Sequence, residues 1–129
     1  MYTDELRNGA WRTLVHGLIL RNMEWAVILA KVRPEKADLC KDNVRKTMLF
    51  YANRYLEYSV HGVRAGKGRI MPQSLCEAIF MVSVGRYLQW IQDEECFNES
   101  DLEFIREKWF SPAVDLIKPQ IGIIHNIHV

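Results

Sequence analysis

Apolar residues recur along this chain mostly at helical spacing. From Leu6 the positions Leu6, Ala10, Leu14, Leu18 and Trp25, joined by Val15, Ile19, Ile28 and Leu29, return every three or four residues. The pattern predicts a first helix over 4–32, capped by Thr3, with Asp4 and Glu5 at its positive end and a stop before Pro34. Gly9 and Gly17 weaken it locally, and Arg12 and His16 share a face. His16 is expected to be a partly buried, hydrogen-bonded histidine. A second helix is predicted over 38–61. Within it Val44, Met48, Tyr51, Tyr55 and Tyr58 form a stripe, widened by Leu49, Ala52 and Leu56. Asn43, Lys46, Asn53, Arg54, Glu57 and His61 occupy the opposite face, with Phe50 in their midst.

Ser74 and Glu77 fit a capping box and announce a third helix over 75–94. Nearly every face from Leu75 to Ile91 is apolar, which marks a central element or one shared with a second subunit, and Arg86 inside the run needs a partner. After the acidic turn Asp93-Glu94-Glu95, Ser100 and Glu103 make another box. The fourth helix is predicted over 101–110, turning Leu102, Ile105 and Trp109 inward and stopping at Ser111-Pro112, with Ala113 to Ile117 able to add a short turn of helix before Pro119. The ending IGIIHNIHV alternates like a short extended segment, able to pair with another chain by strand addition. The expectation is an all-α single domain over 1–129, a bundle of four main helices with an irregular or short extended tail over 119–129.

Composition refines this picture without changing it. A chain of 129 residues, 49% apolar and 26% charged, suits one soluble globular domain. The start MYTDELRNG has acids and no apolar stretch, so no secretory leader is expected, and the longest apolar run is too short to span a bilayer. Cys40, Cys76 and Cys96 are odd in number and widely spaced, which argues for reduced thiols and a cytoplasmic setting.

Charge does change the picture. The net charge of +1 conceals a partition: residues 31–72 hold ten Lys/Arg against four Asp/Glu, whereas 73–111 hold three against eight. An anionic partner for the middle segment is one reading; neutralisation of the basic part by the acidic part is the other. The loop HGVRAGKGR interleaves Gly62, Gly66 and Gly68 with Arg64, Lys67 and Arg69, a composition able to wrap an anion in backbone N–H groups. Its spacing is not that of a P-loop. His125 and His128 point to opposite faces of an extended tail, so no metal site is expected, and no cofactor either.

Arg54 and His61 are spaced Arg-x6-His, which is similar to the loose Rx4–6H signature of HEPN-type ribonucleases, also small α-helical proteins. The resemblance covers those two residues. It implies a metal-independent ribonuclease, with His61 as acid or base on a ribose 2′-hydroxyl and Arg54 stabilising the charge on phosphorus. A chain with ten Arg and four His meets the signature about once by chance, so this stands as a second alternative. The leading expectation is a small non-catalytic binding protein or assembly subunit. It presents Lys46, Phe50, Asn53, Arg54, Arg64, Lys67 and Arg69 to RNA, DNA or an acidic protein, and not to a membrane. The first alternative is a protein-directed regulator or inhibitor, compatible with a homodimer, that acts through its aromatic and apolar surface.

Overall fold

The computed structural model describes residues 4–62, 66–92 and 96–120, and the side chains of residues 4–8 lie outside the description. The order is α1 (Asp4–Val32), a 3-10 turn (Pro34–Lys36), α2 (Ala37–Arg54), a second 3-10 turn (Tyr55–Glu57), then α3 (Ser74–Ile91). A composite fourth rod follows: α4 (Glu99–Ile105), a π turn (Arg106–Phe110), α5 (Ser111–Ile117) and a last 3-10 turn (Lys118–Gln120). The chain is an all-α bundle, as its periodicity predicts. Among the described residues the one β-type pairing is an isolated antiparallel bridge between His61 and Gly68. No described helix is long and apolar enough to cross a membrane. The tail residues 121–129, with His125 and His128, and the acidic turn 93–95 lie outside the described residues.

α1 ends where Pro34 requires it, its last bond running from Arg33 N–H to Leu29 O at 2.8 Å. α2 stops at Arg54, well short of the expected residue 61. Nothing local breaks it. The second 3-10 turn closes it, Tyr58 is extended (φ −70, ψ 131), and Arg69 Nη1 donates to Tyr58 O at 2.7 Å and Leu56 O at 3.4 Å. A guanidinium from the following loop thus takes the carbonyls a longer helix would have used.

Neither predicted capping box forms where expected. Gln73, not Ser74, precedes α3 and makes no side-chain cap, and the Glu77 carboxylate accepts the backbone N–H of Arg69 and Ile70 instead. At α4 the box forms two residues early: Asn98 Oδ1 accepts from Asp101 N–H at 2.7 Å and Asp101 Oδ2 from Asn98 N–H at 3.4 Å. Asp101 also receives Arg45 Nε at 2.8 Å, so the choice of box is tied to α2. The expected stop at Ser111-Pro112 is absent, and the short turn expected over 113–117 is part of a continuous α5. Proline has no N–H and its ring collides with the carbonyl four residues back. The chain meets this with the wider π turn, in which Ser111 N–H bonds Arg106 O, and continues as α5.

One contiguous cluster forms the core. At its centre Trp109 stacks on Tyr51 (centroids 5.1 Å, interplanar 21°) and Phe80 meets Tyr51 edge-on at 5.7 Å. α3 buries Ser74, Glu77, Phe80, Val84, Tyr87 and Ile91 along one side, while Ile79, Val82 and Trp90 face outward. It is therefore not enclosed on all sides, and Arg86 is exposed instead of needing a buried partner. Tyr87 ties α3 to α1, its hydroxyl donating to Glu24 Oε2 at 3.0 Å.

Candidate functional site

The glycine-broken loop does cradle an anion, and that anion is the chain's own. Glu77 is 0% exposed, and its carboxylate accepts the backbone N–H of Arg69 (2.5 Å), Ile70 (2.9 Å to Oε2) and Met71 (3.4 Å). Burial pushes the Glu77 carboxyl above its ordinary range, and the three N–H bonds oppose that rise. Gly68 is required at the nest: a Cβ there would collide with Met71 O and press on Glu77 Oε2. Gly62 holds φ +137 with its Cβ position 2.5 Å from Gly66 O, so it too admits no side chain. Sequence reasoning assigned Glu77 to a helix cap. The same three-residue spacing serves either purpose.

The expected basic surface is thinner than the charge count suggests. Arg69 turns inward, its guanidinium on the carbonyls of Leu56 and Tyr58 and 5.8 Å from the Tyr55 ring centroid. Arg45 is paired with Asp101 from the acidic segment, and this pairing holds the Asp101 carboxyl below its ordinary value. Lys46 pairs with Asp42 at 2.8 Å in the open. Arg54 lies over the Phe50 ring, 4.4 Å from its centroid, and Phe50 is 50% exposed. Asn53 and Lys67 are exposed; the Lys67 backbone exchanges bonds with the Gln120 side chain at 2.6 and 3.1 Å. Arg64 lies outside the described residues. The outward set is Lys46, Phe50, Asn53, Arg54 and Lys67.

Arg54 and His61 do not share a helical face, because α2 has ended between them. His61 instead joins α1. Its Nδ1 donates to Ser59 O at 2.8 Å, and Arg12 Nη1 lies equally close, at 2.5 Å, to both of its ring nitrogens. One turn on, His16 Nδ1 lies 2.6 Å from the Tyr51 hydroxyl, which donates to it when the imidazole is neutral, and Tyr58 stands edge-on to the His16 ring at 5.8 Å. Burial first, then Arg12 and His61, lower the His16 pKa from its ordinary value of 6.5. Arg12 and His61 are 49 residues apart, too far for spacing to reveal their contact; only the Arg12/His16 spacing was visible.

A pH dependence follows. A depressed histidine contributes stability above its unfolded pKa and loses it as pH falls through the folded one. Acidification from 6.5 downward should therefore loosen the junction of α1 with Tyr51, and His16→Gln should flatten that part of a pH–stability curve. Urea midpoints measured across pH 7 to 5 in both proteins check this.

The other unusual surface lies on α1, which is apolar on two sides. Met23, Val27 and Ala30 face the core. On the far side Trp11 is 66% exposed, Leu14 52%, Leu18 52%, Trp25 60% and Val32 62%. With Arg21 and Ile28 these occupy positions 11, 14, 18, 21, 25, 28 and 32, a strict alternation of three and four. Beside the row Trp25 and Leu29, with Leu39 and Asn43 of α2, line an open cavity of about 520 Å³.

The fold and these surfaces define a helical-bundle protein with one outward apolar seam and one polar junction. Comparison with known proteins finds no matching family model, no matching characterised protein and no matching solved structure.

Proposed function

We propose that the chain is a non-catalytic protein-binding module that docks helix-to-helix through the outer side of α1. The exposed row from Trp11 to Val32 carries this reading. A seam repeating every 3.5 residues is what one helix offers another, and exposed apolar patches of this kind mark contact sites. The occupant that fits best is a second copy in antiparallel orientation. A parallel pair would set Arg21 against the partner's Arg21. Reversal about the midpoint between Arg21 and Trp25 sets Leu14 against the partner's Val32, Leu18 against the partner's Ile28, and Arg21 over the partner's Trp25 as a cation–π pair. Trp11 and Trp25 alone leave on the order of 300 Å² of indole in solvent, a good part of the ~800 Å² per partner of a standard interface. Three cysteines, odd in number and widely spaced, support a reducing, cytoplasmic setting.

The test is light scattering on the wild type and on the double variant Leu14→Glu, Leu18→Glu. The expected result is a concentration-dependent dimer in the first and a monomer of unchanged helicity in the second. A wild type that stays monomeric at every soluble concentration overturns the self-pairing. If the double variant also keeps every partner that the wild type co-purifies with, the α1 reading falls altogether.

A second reading, an anionic macromolecular partner, is favoured by one observation: Arg54 stacks on half-exposed Phe50, with exposed Lys46 and Asn53 one turn away on α2, forming a cationic, aromatic platform. RNA or DNA held there would be released steeply by salt. Absence of binding to either at low salt removes this reading. A ribonuclease acting through Arg54 and His61 gains nothing from the geometry, since Arg54 is engaged with Phe50 and His61 with Arg12 and Ser59.

A further inference from the structure

We infer that Arg12, His16 and His61 form a binding site for a small oxyanion of the phosphate class. Three side chains able to carry positive charge converge here from α1 and from the segment after α2. Among the described residues no carboxylate bonds any of them: the contacts of Arg12 are the His61 ring nitrogens, those of His16 the Tyr51 hydroxyl and the Tyr58 ring, and that of His61 beyond Arg12 the Ser59 carbonyl. Elsewhere the chain does pair its cations, as Arg45 with Asp101 and Lys46 with Asp42 show.

Donor capacity is left over. A guanidinium has five N–H donors and Arg12 directs one nitrogen, Nη1, at His61. The His16 ring is anchored through Nδ1, so its Nε2 is the nitrogen left for a ligand. Tyr51 and Tyr58 stay neutral phenols, their pKa values raised chiefly by burial, and so do not compete as anions. A tetrahedral oxyanion would take N–H groups from Arg12 and from one or both imidazoles as charge-assisted bonds. The partly buried setting strengthens such bonds relative to bulk water. The loop nest cannot play this part, because Glu77 already fills it.

Inorganic phosphate is the probe. Thermal unfolding is followed against phosphate and against chloride at matched ionic strength, with the histidine ring resonances of the intact chain recorded in parallel. The expected result is a midpoint that rises with phosphate beyond the chloride control, as ligand linkage requires, with saturating shifts of the His16 and His61 rings. Arg12→Gln should abolish both effects, whereas Lys46→Gln should keep them. Glycerol phosphate separates the two sources of such a group: a matching response identifies a site open to phosphate monoesters, and a response to inorganic phosphate alone identifies a closed one. Equal stabilisation by chloride, or ring resonances that do not move, overturns the inference; the resonances decide it even where Arg12→Gln fails to fold.

Discussion

Replacing Glu77 with alanine is expected to cost roughly 3–5 kcal/mol, since it strands buried donors worth ~1–3 kcal/mol each and empties the volume of the side chain. Against a total stability of about 5–15 kcal/mol for a domain, such a loss brings the protein to the edge of unfolding. The donors are the N–H groups of Arg69, Ile70 and Met71, and Ile70 is itself 0% exposed. Glu77→Gln keeps one acceptor oxygen and sets an NH₂ against the nest, so it should fall between alanine and the wild type. Urea unfolding gives the magnitudes. Hydrogen exchange at residues 69–71 identifies the origin: fast exchange there in Glu77→Ala, with α2 still protected, shows the nest as the site of damage. Unchanged protection of those amides would refute the role assigned to Glu77. The pH dependence has a definite sign. Because the folded carboxyl is raised above its ordinary 4.5, its contribution is complete below that value and is lost as pH rises through the folded pKa. The glutamine variant should lack that decline.

Trp109→Ala should be comparably damaging, about 3–5 kcal/mol for an indole removed from a packed interior, with ~0.5–1.5 kcal/mol of ring stacking on Tyr51 beyond area alone. Trp109 is 0% exposed and touches the core from the π turn. Among the described residues its Nε1 is buried without a hydrogen-bond partner. Trp109→Phe should therefore be far milder than alanine, because the unsatisfied donor disappears together with part of the ring. Equilibrium denaturation of the two variants, compared directly, checks the difference. A phenylalanine variant as unstable as the alanine one would contradict the stacking geometry.

These two residues also show what was legible. The inward position of Trp109 follows from its spacing with Leu102 and Ile105, and α1 ends as Pro34 dictates. Glu77 and the end of α2 were not legible, because both are decided across the loop: Arg69 closes α2 through the Leu56 and Tyr58 carbonyls, and its neighbours' N–H groups capture Glu77. Asn98–Asp101 and Ser100–Glu103 are equivalent boxes locally, and Arg45, 56 residues away from Asp101, is what distinguishes them. The apolar character of both sides of α1 was present in Trp11, Leu14, Leu18 and Trp25. Periodicity alone could not say which side would be left in solvent, because a row of leucines reads alike facing a core or facing a partner. The polar junction joins residues too distant in sequence for spacing to reveal, and the basic surface shrank because side-chain direction is invisible to a charge count.

The nest around Glu77 has a consequence for the loop's chemistry. A carboxylate tethered eight residues from the first of its donors acts as a ligand whose effective concentration is at least in the ~millimolar range of short flexible tethers. Any dissolved anion seeking those amides competes with an occupant that cannot diffuse away. Glycine-rich and cationic as it reads, the loop behaves as a receptor already saturated by its own chain.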